Sequence, residues 1–451
     1  MKKAIIVVSV LVIAAMALWG CATPPEEPTV PDVPAVVLPT EINVGAVHPL
    51  TGGCSPAGIQ MTAGAQLAVD QINASGGIKA MDGAKLKLVI GDSQSNPDVG
   101  ATEAERLITR EDVVVMMGSY ADTIPVTVQC QKYKTPMVCS VMGAHIDKTY
   151  DWIFRDFNMM EYDDQEIWGA IKYFTETTGE GPQTIAMLHN DGEWGLTCRS
   201  IAKETIAREG WDLVYDDIFP FGGCTDFSSY LIKIKAANPD LMAISMCLPD
   251  HTYFSKQVME AGIDFPYGVM SWGCACEDPV FYESVSQEAV EYMFVQEDCD
   301  IWVKNRPFYP YLNDSVEAEI GVPISAYMLC GYGVAWDVKD ALERTQYHRD
   351  IGMFRSNLRD ALTQTDITVD NCPDMITLSD GTTFCPALVR GIDRVKFTQN
   401  ASPGAKFWQN TYSRGQISQN IDGERIPMYP TVVHPADAPD FVWPIPSWSE
   451  R

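Results

Sequence analysis

Basic residues are scarce in this sequence. Its 451 residues include 32 Lys and Arg against 60 Asp and Glu, which gives a formal net charge of −28 at pH 7. A nucleic-acid-binding protein needs a basic surface that neutralises phosphates. The charge balance therefore argues against nucleic acid as a partner, and the acidity indicates a soluble, self-repelling surface.

The motifs of several enzyme classes are also missing. The closest approaches to the G-x-S-x-G turn of hydrolases are Val269–Gly273, which lacks the first glycine, and Gly53–Ala57, which lacks the last. The sequence has no G-x-x-x-x-G-K-[ST] phosphate loop, and no G-x-G-x-x-G opens a helix after the first predicted strand. We therefore predict a binding protein that is not an enzyme.

Metal-site spacings are absent as well. The CxxC spacing of zinc sites does not occur, and the six histidines are scattered along the chain. Cys247 with Cys274 and Cys276 forms the one alternative set of metal ligands. We predict no metal site and no cofactor.

Long apolar runs are confined to the N-terminus. Lys2 and Lys3 precede the almost wholly apolar segment Ala4–Ala17, which is too short for a comfortable membrane span. This pattern predicts that residues 1–20 are a secretory signal peptide.

A cysteine stands where the signal would be cleaved. The run Leu18-Trp19-Gly20-Cys21 resembles the bacterial lipobox, so we predict that Cys21 is lipidated. The alternative is a chance cysteine after an ordinary signal peptide. Residues 21–40 are rich in proline and predict a stiff tether, which leaves the lipid as the only membrane anchor.

The other cysteines point to disulfides. Thirteen cysteines minus Cys21 leave twelve, an even number in a chain that we expect to be exported. Cys372 and Cys385 bracket a loop-like segment and are the best candidate pair. The remaining connectivity stays open.

Strand and helix patterns alternate from Glu41 onward. Ile42, Val44 and Ala46 follow the two-residue period of a strand, and the apolar run Val113–Met117 suits a strand buried on both faces. The alternation restarts at Thr184. Two successive series predict an α/β protein with two doubly wound parallel-sheet lobes and a cleft between them.

The predicted domains follow from these two series. The first lobe is expected to span residues 41–156 and about 298–385. The second lobe is expected to span residues 157–297 and about 386–451, including the C-terminal tail.

A series of motifs along the chain matches one known family. The matches begin at Gly45–Gly52 and Gly64–Ile78 and cover nearly everything from residue 41 to the end. Further matches follow in order at Asp92–Pro97, Gly118–Tyr120, Phe154-Arg155, His189–Asp191, Trp194-Gly195, Asp226–Ser228 and Val442–Arg451. In their order and spacing, these motifs resemble the periplasmic leucine/isoleucine/valine-binding protein family.

The resemblance implies a type I periplasmic binding fold (a Venus flytrap with a hinge) that delivers its ligand to an ABC permease of the branched-chain amino acid type. It also implies ligand contacts on two loops of the first lobe and on several positions of the second. In this sequence those positions are Tyr120, Ala121, Asp122, Thr123, Met142, Gly143, Ala144, Trp194, Cys247 and Trp272.

Two departures from the family concern the ligand. Asp122 stands where a small hydroxyl is usual, and a carboxylate there would repel a ligand carboxylate. Trp272 stands where the family commonly has an acid. Trp194, Trp272, Tyr120 and Asp122 would form an aromatic box suited to a cationic or amide-bearing solute. In the alternative, one tryptophan is ordinary core or rim and the placement of the loops is off by one.

We therefore predict an extracytoplasmic solute-binding lipoprotein, in the periplasm or at the cell surface. It would pass a small polar solute (an amino acid, an amide or a related nitrogenous compound) to an ABC importer by closure of the cleft. A ligand-sensing module for a signalling partner is the alternative, because a fold does not fix its output. Neighbouring permease genes favour the first function, and a neighbouring sensor kinase favours the second. A structural surface lipoprotein is a third possibility.

Overall fold

A computed structural model describes residues 37–118, 120, 123–140, 150–157, 160–297, 308–399, 407–413, 415–431 and 438–451. The predicted signal peptide and Cys21 lie outside the described residues. Residues 39–451 form one compact unit. No helix within the described ranges is long and apolar enough to cross a membrane.

The elements follow the predicted alternation. The first series is β1 (Glu41–His48), α1 (Ser55–Ala74), β2 (Lys85–Asp92), α2 (Pro97–Arg110), β3 (Met116–Met117), α3 (Thr123–Lys132), β4 (Met137–Cys139) and β5 (Ile153–Arg155). The second series is α4 (Met160–Thr178), β6 (Thr184–Asn190), α5 (Glu193–Glu209), β7 (Asp212–Phe219), α6 (Ser228–Ala237), β8 (Leu241–Ser245), α7 (Asp250–Glu260), β9 (Val269–Trp272), α8 (Pro279–Ser284), α9 (Gln287–Val290) and β10 (Phe294–Glu297).

The last third of the chain adds elements to both series. They are α10 (Tyr309–Ile320), α11 (Ala326–Glu343), α12 (Ile351–Leu362), β11 (Asp366–Thr368), β12 (Ile376–Thr377), β13 (Thr383–Phe384), β14 (Arg394–Gln399), β15 (Trp408–Asn410), β16 (Gln416–Ile421) and β17 (Glu424–Tyr429). The hairpin β12–β13 lies between Cys372 and Cys385, which form the predicted disulfide.

Two doubly wound sheets define the two lobes. The first sheet has the order β11-β14-β15-β5-β4-β3-β1-β2, and the second has the order β17-β16-β10-β9-β8-β6-β7. Strands β1–β5 are parallel to one another, and so are strands β6–β10. The first sheet continues through the parallel strand β15 to the antiparallel strands β14 and β11, and the second continues through the antiparallel strands β16 and β17. The predicted fold class is therefore confirmed. In such sheets, ligands bind beyond the carboxyl ends of the strands, where the strand order reverses.

One predicted boundary is wrong. The second lobe was expected to resume near residue 386, but β14 and β15 pair within the first sheet, where β15 lies beside β5. The chain joins the second sheet at β16. Local periodicity identifies a strand but does not tell which sheet supplies its hydrogen-bond partner.

Helix α11 packs closely on α1 in the core of the first lobe. A methyl group on Gly64 would overlap the Met328 carbonyl, and one on Gly331 would overlap the Met61 carbonyl. The two glycines therefore permit the close approach of the helix backbones. This contact fixes α11, whose first turn carries Tyr327, against the helix that follows β1.

Hydrogen bonds join the segments that cross between the lobes. Arg155 donates from Nε to the Gln409 side chain over 2.6 Å, and Asn410 donates to the Asp156 carbonyl over 3.0 Å. At the end of β10, Glu297 accepts hydrogen bonds from Gln416 and Ser418. The crossing segments thus form one buried polar layer.

A buried ion cluster lies beside this layer. The Arg390 guanidinium pairs with Asp156 and lies 3.2 Å from both the Ser140 hydroxyl and an Asp337 carboxyl oxygen. The Arg390, Asp156 and Asp337 side chains are fully buried. Burial raises the pKa of the Asp337 carboxyl well above its ordinary value. Asp156 makes the closer contact with Arg390, and we therefore assign the balancing charge to Asp156.

We expect Arg390→Met to lower the free energy of unfolding by about 3–5 kcal/mol, because it leaves the Asp156 carboxylate buried without its cation. Asp337→Asn is the matched control and should cost about 1 kcal/mol, because the amide keeps an acceptor for Arg390 and leaves the Arg390–Asp156 pair intact. Urea unfolding of both variants measures the difference. Equal losses would contradict this assignment of charge.

Candidate functional site

The carboxyl ends of strands from both sheets meet at a cleft. Its walls come from the loops after β1, β3, β8 and β9, the start of α1 and the first turn of α11. The lining residues, which we call the cleft residues, are Gly53, Cys54, Pro56, Ala57, Tyr120, Cys247, Leu248, Cys274, Ala275, Asp278 and Tyr327. This is the position at which doubly wound sheets bind ligands.

Two tyrosines of the first lobe reach across the cleft. The Tyr120 hydroxyl lies 3.1 Å from the Cys274 sulfur and 3.8 Å from the Cys247 sulfur. The Tyr327 hydroxyl donates to the Cys274 carbonyl over 3.0 Å. The two rings contact each other edge to face, with their centroids 5.2 Å apart.

The partner of these tyrosines in the second lobe is a disulfide. Cys247 and Cys274 are bonded to each other, with their Cα atoms 5.3 Å apart. A disulfide sulfur carries no hydrogen, so Tyr120 is the donor in its contacts with both sulfurs. Cys247 and Cys274 were grouped in the sequence as alternative metal ligands, and the structure pairs them covalently instead.

Asp278 is the only acidic side chain among the cleft residues. It is 2% exposed, and its Oδ1 accepts a hydrogen bond from the Val280 amide over 2.9 Å at the start of α8. Burial raises the pKa of its carboxyl above the ordinary value. The side chain is therefore positioned to respond to a hydrogen-bond donor or a cation placed in the cleft.

Asp92, at the end of β2, forms hydrogen bonds with the loop after β1. It accepts hydrogen bonds from the Leu50 amide, the Thr51 hydroxyl and the Gln94 amide over 2.8–2.9 Å. Burial acts to raise the pKa of Asp92, but these hydrogen bonds outweigh it and lower the pKa below the ordinary value. The carboxylate thus holds the loop after β1, as a structural residue rather than a cleft residue.

Two of the residues implied by the family resemblance meet in the cleft. Tyr120 and Cys247 are brought together, as described above. Thr123 is buried at the start of α3, and its carbonyl accepts a hydrogen bond from the Thr127 hydroxyl. Five further positions lie outside the described residues, namely Ala121, Asp122, Met142, Gly143 and Ala144.

The structure does not bring the two tryptophans to the cleft residues. Trp272 is 2% exposed and packs in the core of the second lobe against Trp168 and His189. Trp194 is half-buried and packs against the same core. Trp272 is the last residue of β9, and its side chain lies on the face of the sheet that α4 covers. One of the residues predicted to form the aromatic box is therefore a core residue. The alternative interpretation of one tryptophan as core describes Trp272.

Nine of the eleven cleft residues were not predicted from the sequence as ligand contacts. Three of the nine carry the cleft's contacts and charge described above: Cys274, Asp278 and Tyr327. In the sequence, Tyr327 fits the apolar pattern of a helix, and no neighbouring residue indicates that its hydroxyl faces a cleft. Asp278 precedes a proline at the start of a short helix, and this pattern indicates a helix N-cap. In the structure the Asp278 side chain does cap that helix. The described residues contain no group of three or more His, Cys, Asp or Glu that could hold a metal ion.

Two hinged α/β lobes with a cleft at their carboxyl edges define a two-lobed binding protein. Residues 41–368 match the family model described as periplasmic binding protein, and the chain belongs to that family. The resemblance seen in the sequence is thereby confirmed.

Curated relatives agree with this assignment. Leu/Ile/Val-binding protein homolog 7 of Brucella abortus (strain 2308) is 27% identical over 345 residues, which cover 72% of this chain and 82% of the relative. Homolog 8 of the same organism is 24% identical over 287 residues, which cover 62% and 69%.

Solved structures show the same fold at low identity. The leucine-binding protein LivK of Thermotoga maritima superposes with a TM-score of 0.64 at 18% identity, covering 86% of this chain and 97% of that one. LivJ of Streptococcus pneumoniae, solved with isoleucine, gives 0.65 at 18% identity, covering 89% and 99%. A solute-binding protein of R. palustris, solved with benzoate, gives 0.64 at 16% identity, covering 86% and 95%.

Three histidines, His48, His189 and His251, are buried in the two lobes. Burial lowers the pKa of His48 to about 4 and the pKa values of His189 and His251 to about 3. His48 and His189 stand at strand ends, and each has an Nδ1 partner, Thr62 and Ser245 respectively. The Nε2 atoms of all three rings are buried without a hydrogen-bond partner in the described structure.

We expect the free energy of unfolding to fall as the pH drops below about 6.5. In this range the three histidines become protonated in the unfolded chain but stay neutral in the folded protein. Each histidine contributes a slope of about 1.4 kcal/mol per pH unit until its folded pKa is reached. His189→Gln should reduce the slope between about pH 6 and pH 5 by that amount. His348→Gln, on the surface, is the control, and an unchanged slope in His189→Gln would contradict the prediction.

Proposed function

We propose that this protein is an extracytoplasmic solute-binding lipoprotein that captures a small polar solute and delivers it to an ABC importer of the branched-chain amino acid type. The solute is an amino acid, an amide or a related nitrogenous compound. The contact of Tyr120 and Tyr327 with the second lobe across the cleft is the observation that carries this proposal. A cleft whose walls touch each other directly is suited to enclosing a small molecule by closure.

The chemistry of the cleft residues supports binding rather than a reaction. The family consists of solute-binding proteins. Hydroxyl groups, a disulfide and one buried carboxyl hold a ligand by hydrogen bonds and packing. We infer that the protein performs no chemical step on its solute.

The nature of the solute follows from Asp278 and the tyrosines. A buried carboxyl gains most from a nitrogen-bearing group, because an N–H donor or an ammonium offsets the cost of its desolvation. The aromatic faces of Tyr120 and Tyr327 add affinity for a cation. A cationic amine is therefore the second candidate, although Trp272 does not contribute a wall to its site.

A thermal-shift screen tests the class of solute. The compounds are L-leucine, L-isoleucine, L-glutamine, putrescine, choline and benzoate. A solute present at about 100 times its dissociation constant should stabilise the protein by about 2.7 kcal/mol. We expect a nitrogen-bearing compound to do so, and Asp278→Asn to weaken its binding at least about tenfold through loss of a charge-assisted hydrogen bond.

Asp226→Asn is the matched control for Asp278→Asn. Asp226 also accepts a hydrogen bond from the amide two residues on, that of Ser228, but it is not a cleft residue. Asparagine serves both turns as well as aspartate does. Stabilisation by benzoate alone, with Asp278→Asn unaffected, would overturn the nitrogenous solute. No shift with any compound would leave the transport function without support.

The lipid anchor is a separate part of the proposal. In a bacterial host fed a labelled fatty acid, we expect the protein to incorporate label and Cys21→Ser to lose it, because only a cysteine at the cleavage site receives the diacylglyceryl group. Cys224→Ser is the control, since Cys224 is a free, half-buried cysteine of the folded body. Label retained in Cys21→Ser would show that the anchor is elsewhere.

A further inference from the structure

The disulfide of the cleft joins two loops that already lie side by side. Strands β8 and β9 are parallel neighbours, and Ser245 pairs with Trp272 at their carboxyl ends. Cys247 and Cys274 each follow two residues later, so the register of the sheet sets them opposite one another. The bond therefore ties together the two loops through which the second lobe faces the first.

Both tyrosines of the first lobe converge on one end of this disulfide. Tyr120 donates to the Cys274 sulfur over 3.1 Å, and Tyr327 donates to the Cys274 carbonyl over 3.0 Å. Cys274 thus receives a side-chain contact and a backbone contact from the opposite lobe. Its position determines whether these two contacts form.

The backbone of Cys274 does not adopt this position by preference. Its φ is +56°, in the left-handed region that residues with a side chain rarely occupy. Such a conformation persists only where the surrounding structure holds it, and it is often found at ligand clamps. The covalent bond to Cys247 restrains Cys274 within the second lobe.

We propose that the Cys247–Cys274 disulfide is the positioning element on which closure of the cleft depends. It holds Cys274 where Tyr120 and Tyr327 meet it, and so sets the width of the solute site. Without the bond, the loops after β8 and β9 separate and Cys274 relaxes. Both tyrosines then lose their contact with Cys274, and the closed form becomes less populated. The effect on the solute rests on the proposed function, whereas the effect on closure does not.

The test compares two disulfide-free variants of the full chain. Cys247→Ser/Cys274→Ser removes the cleft disulfide, and Cys372→Ser/Cys385→Ser removes the one that brackets the hairpin β12–β13 of the first lobe. Each loses one cross-link, so a general loss of stability affects both. Only the first should change the opposite lobe at the tyrosines.

Hydrogen exchange measures closure without any solute. In Cys247→Ser/Cys274→Ser we expect peptides containing Tyr120 or Tyr327 to exchange about tenfold faster. The reason is that displacement of the loop after β9 breaks both hydrogen bonds across the cleft. The same peptides should be unchanged in Cys372→Ser/Cys385→Ser. Unchanged exchange in both variants, or equal increases in both, would overturn the proposal.

Tyr327→Phe keeps the test decisive if the cleft variant does not fold. It removes one hydroxyl and leaves the disulfide intact, and we expect faster exchange at Tyr120 because closure loses one of its two hydrogen bonds. Exchange equal to that of the wild type would then refute the inference.

Solute affinity provides the second readout. For whichever compound of the thermal-shift screen stabilises the wild type, we expect about tenfold weaker binding in Cys247→Ser/Cys274→Ser, since a site that is not preorganised must be ordered on binding. Binding in Cys372→Ser/Cys385→Ser should match the wild type. If no compound stabilises the wild type, the proposed function fails, while hydrogen exchange still decides the role of the disulfide.

Discussion

The buried guanidinium of Arg390 is the interaction on which the relative placement of the cleft walls depends. It contacts Asp156 at the first crossing between the lobes, Ser140 at the end of β4 and Asp337 on α11. Burial of a charge costs free energy unless its partners are positioned to compensate, so the cluster holds these segments in one arrangement. Through α11 it also fixes Tyr327, which reaches the second lobe. The crossing segments and the cleft are thus parts of one polar framework.

Much of the fold could be predicted because the relevant signals are local. The alternating residues of β1 mark a strand that the structure confirms, and the apolar run Val113–Met117 contains the shorter strand β3, Met116–Met117. The order of such patterns yields two doubly wound lobes. The same reasoning failed at β14 and β15, which belong to the first sheet. Their sequences contain the period of a strand but not the identity of the neighbouring strand, which is decided by tertiary contacts.

The candidate site shows the same limit at the level of single residues. Cys372 and Cys385 could be paired from sequence because they bracket a short segment that forms its own hairpin. Cys247 and Cys274 are joined only because β8 and β9 are adjacent and in register, which no local pattern reveals. Trp272 is the last residue of β9 and packs in the core of the second lobe, and a match of motifs does not tell which face of the strand its side chain takes. Loop positions taken from a family resemblance are exposed to this error.

The energetics of the cleft suggest how closure is controlled. Each tyrosine hydrogen bond to Cys274 contributes about 0.5–1.5 kcal/mol, so together they bias the lobes towards contact only modestly. A solute that touches both lobes can therefore shift the population by its own differential affinity, which is the only means by which a ligand moves such an equilibrium. A rigid wall in the second lobe makes this bias effective, because a hydroxyl that closes on a fixed partner loses less entropy than one that must also order its partner. The disulfide and the two tyrosines therefore favour the closed form together, because the first lobe supplies the hydrogen-bond donors and the second supplies a preformed acceptor.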